Sequence, residues 1–280
     1  VDEAVRTLRG LEVNSRNEGA PIGETGLGEL REAYVRWATN TERQLSAYFP
    51  RERIEDLFDS PRHRDICSMP PGGQLRVLIN AELDRRSAQF GEIAGELEHV
   101  RGLFSNRGVY VAPDTSFYVE HPDKLEEVDF RPLLTIREDP VRIVVPIVVV
   151  DELDGLKRSG NQKTRWRAQY TLAVIDRMLA HPPGPGILRL EDFSALDQGI
   201  GGIPRGVVTL QIAFDPPGHK RLPINDDEIV DRCLACQTFA KSLTVLTYDT
   251  GQATRARLAG LRVHKLTAVL GEEPAPGGAR

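Results

Sequence analysis

Residues 141–157 read VRIVVPIVVVDELDGLK, and the fold turns on whether this run is one strand or a strand followed by a helix. A single strand would hold Pro146 in its middle, where proline removes a ladder donor. At the first position of a helix, proline is favoured, because its fixed φ suits the turn and its missing N–H is not needed. The spacing therefore predicts a strand over Val141 to Val145 and a helix from Pro146, despite the poor helix propensity of the valines. A short β-branched run passing straight into a helix is the repeating unit of parallel α/β sheets. Glu152 then falls near the end of the second helical turn.

The same texture holds from Gly108 onward. Gly108 to Pro113 (GVYVAP), Leu243 to Thr247 (LTVLT) and Arg262 to Leu266 (RVHKL) read as further strands. LRLEDF and VVTLQIAF, between Ile187 and Phe214, read as two more, an antiparallel pair inserted at the sheet edge. Before Gly108 the pattern is helical: Leu75, Leu78, Phe90, Ile93, Leu97 and Val100 recur three and four apart, and Glu29 to Phe49 behaves likewise. Ser68 to Gly73 (SMPPGG) breaks the helices. The expectation is an α/β chain in three parts: an all-helical region over 1–105, a parallel sheet of four or five strands flanked by helices over 106–270, and a Pro/Gly-rich flexible tail over 271–280.

With 36 basic and 41 acidic residues the formal charge is −5. No global basic field marks the chain as a nucleic-acid binder, so such a partner needs a local patch or metal ions. The longest apolar stretch, Ile143 to Val150, is too short to cross a bilayer and contains Pro146, which points to a soluble, cytoplasmic protein without a membrane partner. Cys233 and Cys236 lie three apart in a predicted helix with no second ligand pair at zinc-site spacing, so helix packing is the expected role.

Acidic residues cluster where chemistry is expected. Asp114 follows the first strand in PDTSF, and Asp249 follows Leu243 to Thr247 in LTYDTG; open α/β sheets bind ligands beyond these strand ends. Asp226 and Asp227 open a helix in INDDEIVDR, and Glu152 lies on the helix after the second strand. Each has a bland role, since Asp opens helices and turns for local reasons. Four acids from four separate elements suit phosphodiester hydrolysis, in which hard oxygen ligands hold Mg²⁺ or Mn²⁺ against a phosphate.

PDTSF after a strand, VPIVVVDELDGLK, NDDEIVDRCLA and LTVLTYDTG, in that order, resemble the motif set of PIN-domain nucleases. The likeness is nearest to the PIN domains of the nonsense-mediated-decay endonuclease and of PhoH-type ATPase fusions, and more distant from toxin–antitoxin members. It covers about Gly108 to Leu266. The resemblance implies a metal-dependent endoribonuclease, leaving 3′-hydroxyl and 5′-phosphate ends, with Asp114, Glu152, Asp227 and Asp249 as acidic ligands. Ser116 and Thr247 match assisting positions. For the third acid Asp227 fits the motif before Glu228-Ile229-Val230, with Asp226 and Asp231 as the alternatives.

Past Glu152, LKRSGNQKTRWRAQ offers Lys157, Arg158, Lys163, Arg165 and Arg167 as phosphate contacts for single-stranded RNA, or as a solvated helix face. Trp166 among them is a base-stacking candidate for such a strand, with a place in the core as the favoured alternative, since aromatics carry much core burial. Lys220 and Arg221 form a weaker patch, with His219 beside them as a surface loop residue. Structure-specific DNA cleavage and a catalytically silent binding module are the competing functions. The N-terminal helices can clamp RNA, pair two subunits or cover the crevice, and their amphipathic pattern does not choose.

Overall fold

The computed structural model describes residues 1–19, 26–70, 72–105, 107–136, 140–180, 185–194, 204–216, 219–240 and 242–267. The chain divides into two compact units, Val1–Gly102 and Leu103 onward. The expected tail over 271–280 lies outside the described residues, as does much of the Gly199 to Gly206 loop.

The first unit is helical: α1 (Asp2–Gly19), α2 (Leu27–Leu45), α3 (Arg51–Phe58), α4 (Pro61–Ser68) and α5 (Leu75–Leu103). Its core draws on the predicted stripes, with Leu75, Phe90 and Ile93 packed among Leu8, Leu30, Tyr34, Trp37 and Phe58. Within this core sits a buried ion pair, Arg86 to Glu82 at 2.6 Å. Ser60 donates to Glu82 at 2.9 Å and also accepts the N–H of His63 as the cap of α4. One hydroxyl thus serves one oxygen of a buried carboxylate and a helix end. Ser60→Ala is expected to destabilise the helical unit by about 1–2 kcal/mol, the combined scale of a lost cap and a lost buried hydrogen bond. The check is the urea midpoint followed through the emission of buried Trp37, which an unchanged midpoint would contradict.

The second unit runs β1 (Val109–Pro113), α6 (Thr115–Glu120), α7 (Phe130–Leu134), β2 (Val141–Pro146), α8 (Ile147–Leu156), α9 (Gln162–Leu179), β3 (Gly186–Arg189), β4 (Val208–Ala213), α10 (Asn225–Gln237), β5 (Leu243–Thr247), α11 (Thr250–Leu258) and β6 (Arg262–Lys265). The strands form one sheet in the order β3-β4-β2-β1-β5-β6. Every pairing is parallel except that of β3 with β4. This is the expected α/β architecture: five strands, β4-β2-β1-β5-β6, are parallel, as predicted, and β3 is the sixth. β3 and β4 are antiparallel to each other as read, yet β4 is no edge insertion: it pairs with β2 over six residues, Val141 to Pro146. Of this pair only β3 lies at an edge, the opposite edge being β6.

Pro146 closes β2 opposite Ala213 and caps α8 instead of opening it, one residue from the expected boundary. Its φ of −56° and ψ of 139° are extended, so the strand holds through the proline and the helix begins at Ile147. Val148, Val149 and Leu153 are buried, and this burial overrides the valines' weak helix propensity.

The sheet reverses its winding at the centre. From β1 the chain proceeds to β2 and β4 on one side, then returns to β5 and β6 on the other. Such a switch leaves a crevice beyond the carboxyl ends of β1 and β5. Asp114 and Asp249 stand there.

Candidate active site

Asp114 leaves β1 with its N–H still donating to the carbonyl of Leu246 at 3.0 Å, so it continues the ladder to β5. Its carboxylate then caps α6, accepting the N–H of Phe117 at 3.0 Å and the hydroxyl of Ser116 at 2.7 Å on one oxygen, and the hydroxyl of Thr247 on the other. Only 4% of the residue is exposed. Burial pushes its pKa up to about 6; the bonds from Thr247, Ser116 and Phe117 pull the other way, and the charge of Asp249 adds a smaller upward push.

Ser116 is the tie across the switch. Its oxygen accepts the N–H groups of Tyr248 at 2.9 Å and Asp249 at 3.3 Å while its proton goes to Asp114. Thr247 is fully buried at the end of β5 and accepts the N–H of Asp249 at 2.9 Å. These two hydroxyls fix the turn that carries Asp249, which in turn caps α11 through the N–H of Gln252 at 2.6 Å. Both side-chain polar atoms of Gln252 are buried without a partner, although the residue sits in the first turn beside Asp249. Hydrogen-bonding capacity therefore remains beside the acid.

Glu152, on α8, has both oxygens held: one by the hydroxyl of Thr115, the other by the Asn225 side-chain amide at 2.9 Å. Neither Thr115 nor Asn225 stands out in the sequence, although each adjoins an acid, Asp114 and Asp226. Their positions at the first turns of α6 and α10 are the only prior signal.

The first turn of α10 separates the two adjacent aspartates. Asp226 is raised above its ordinary value by burial first, then by Asp249, with Glu152 and Asp227 contributing and Arg255 opposing. Asp227 instead meets Arg255 of α11 at 3.0 Å, and Asp226 lies 3.6 Å from the same guanidinium. It is Asp226 that senses the charges of Asp249 and Glu152, whereas the motif pointed to Asp227. Asp231 pairs with neighbouring Arg232. Carboxylates of Asp114, Glu152, Asp226 and Asp249 thus converge from four elements, but among the described residues no three bring their oxygens within 4.8 Å of one another.

A tighter group lies further along. Asp215, His219 and Glu228 place ligand atoms within 4.8 Å. His219 meets Glu228 at 2.7 Å, Leu222 N–H donates to Glu228 at 2.8 Å, and Arg221 and Arg232 face Asp215 and Glu228. Two arginines already balance the two carboxylates. His219 is therefore a half-buried loop anchor and not the surface residue expected. The loop bends back so that α10 can bury Glu228 completely.

The basic stretch is divided in its behaviour. Arg158 and Lys163 are exposed, Lys157 pairs with Asp154 at 2.7 Å, and Arg165 donates to the carbonyl of Ser159 at 2.7 Å. Arg167 is buried and donates to the carbonyls of His121 and Asp123, so it holds the turn after α6 and is closed to a ligand. Arg221 is taken up by Asp151 and Asp215. Trp166, expected in the core, is 48% exposed. The buried stripe of α9 is Arg167, Ala168, Thr171, Val174 and Ile175, and Trp166 falls outside it. Cys233 and Cys236 are buried free thiols packed in α10, and burial raises both.

A parallel α/β sheet with oxygen-only acidic groups gathered at its switch point defines a class of protein whose site suits hard divalent cations and anionic substrates. A family model of the PIN domain matches residues 111–267, more than half of the chain, and the chain belongs to the PIN-domain family. PIN domains are nuclease domains that usually work with divalent metal ions. No curated protein is similar enough to the chain to count as a match. Among the described residues, no helix is long and apolar enough to cross a membrane.

Proposed function

We propose that the chain is an endoribonuclease that hydrolyses single-stranded RNA with Mg²⁺ or Mn²⁺ held by Asp114, Glu152, Asp226 and Asp249. The observation that carries this reading is the convergence of these acids at the switch, where burial raises Asp114 and Asp226, the charge of Asp249 adds to both, and Arg255 is the cation set against Asp226. A crowded set of oxygen donors is the expected form of a site completed by a cation.

Bound there, the cation would neutralise the phosphate's charge and lower the pKa of a water for attack. The chain's own residues do the positioning. Ser116 and Thr247 orient Asp114 and the Asp249 turn together, so the acids from β1 and β5 keep one spacing. Thr115 and Asn225 hold each oxygen of Glu152 in place. Arg255 draws Asp227 away and moderates Asp226. The exposed Arg158 and Lys163 supply the cationic approach that the net charge does not.

The test is cleavage of an unstructured RNA, the same sequence as DNA, and a DNA flap, each with Mn²⁺ and with EDTA. RNA cut only with the metal is the expected result. Cleavage persisting in EDTA would refute the metal assignment, and a flap cut while RNA survives would make the chain a DNA nuclease.

A further inference from the structure

Lys163, Trp166 and Tyr170 follow one another at spacings of three and four on α9, so a cation and two aromatics share one helix face. The Trp166 and Tyr170 rings stack, with centroids 5.2 Å apart and planes 19° from parallel. Tyr170 is itself fixed: its hydroxyl bonds Glu126 at 3.0 Å, and Lys124 lies 5.6 Å from its ring centroid. Glu126 is in turn met by Arg177 at 2.8 Å, so its charge is offset. An indole held in one orientation and still 48% exposed has little conformational entropy left to lose on binding.

The helix that carries this face, α9, is anchored to the segment that follows α6. Arg167, the next residue, grips the carbonyls of His121 and Asp123 just past α6, the helix that Asp114 caps. The His121 ring lies 6.3 Å from that of Tyr248, which stands between Thr247 and Asp249.

We infer that Trp166, backed by Tyr170 and flanked by Lys163, is a stacking platform for an unpaired base of the substrate strand. The inference rests on the RNA reading above. Every base offers a π-face, so the platform takes any single strand without reading its sequence, and a duplex, whose bases are already stacked, is refused. The lysine's task differs: it neutralises phosphate, and its contribution fades with salt.

Trp166 and Trp37 are the two tryptophans of the chain, and Trp37 is buried in the helical unit. The experiment titrates full-length Asp114→Asn protein, used to prevent cleavage, with an unstructured RNA dodecamer and with its duplex in Mg²⁺, at several salt concentrations. Single-stranded RNA is expected to quench the emission, and adding Trp166→Phe to remove most of that quenching while retaining most of the affinity. Trp166→Ala should weaken binding about tenfold with an unchanged salt slope. Lys163→Ala should flatten the slope instead, by about one phosphate's worth. RNA bound equally well by Trp166→Ala, without quenching in the parent, would overturn the platform and leave the nuclease reading standing. Failure of every variant to bind any RNA would overturn both. Emission that changes with protein concentration alone would place the ring between copies of the chain and also overturn it.

Discussion

Asp114→Asn should reduce RNA cleavage at least about hundredfold while raising the melting temperature of the nuclease unit in EDTA, a pairing of effects that a merely structural aspartate would not give. The loss follows from removing a charged ligand, since even residues that only support metal ligands are worth about ten- to hundredfold. The gain follows from burial. Asp114 titrates at about 6 in the folded chain against an ordinary 3.8. A group raised in this way contributes its stabilisation fully below about pH 4, and that contribution disappears as the pH rises through about 6. At neutral pH without metal, the folded state must hold a buried carboxylate that the unfolded state ionises freely. The penalty is on the order of 3 kcal/mol, which Asn, neutral at every pH, does not incur.

Asn keeps an oxygen for Phe117 N–H and the Ser116 hydroxyl, so the cap of α6 survives. The expected rise is a few degrees at pH 8 in EDTA and little or none at pH 4. The measurement is melting of both proteins across pH 4–8 with EDTA and with Mn²⁺, beside cleavage rates. A variant as active as the parent would sink the assignment. A variant equally destabilised at all pH values would show that Asp114 serves only as a cap.

Asp226→Asn and Asp227→Asn should part company. Asp226 feels Asp249 and Glu152, so its replacement is expected to reduce cleavage about hundredfold even in saturating Mn²⁺. Asp227 holds Arg255 at 3.0 Å, and freeing that guanidinium lets it turn wholly to Asp226. Competition of this kind raises the Mn²⁺ concentration required while leaving the rate at saturation within a few-fold of the parent. The discriminating experiment is a Mn²⁺ titration of cleavage for each variant. If Asp227→Asn is the inactive one at every concentration, the two roles are reversed.

This contrast also marks where the sequence stops being legible. The α/β alternation could be read because β-branched runs and helical spacings differ in period, and because Pro146 forced a break. Asp114, Glu152 and Asp249 could be placed because each follows a recognisable strand. Adjacent helical residues point about 100° apart, however, and which of Asp226 and Asp227 turns inward depends on where α10 rests and where Arg255 comes from. Neither is a local property. Trp166 escaped for another reason: residue type favoured the core, while the stripe of Arg167, Ala168, Thr171, Val174 and Ile175 already filled the inner face of α9. The buried arginine concealed that stripe, because a charged residue does not read as core. β4 was mistaken for an edge insertion because partners across a parallel sheet are set by topology, not by neighbouring residues.

β1 lies in the middle of the sheet, yet the strand that completes its far side, β5, comes more than a hundred residues later. During synthesis, a growing chain that has not yet released Thr247 and Tyr248 lacks the bonds they make to Asp114 and Ser116 of the PDTSF turn, and has no second wall to its crevice. Closing so long a loop is also slow. On the proposed reading, the crevice is complete only once residues through Asp249 have left the ribosome.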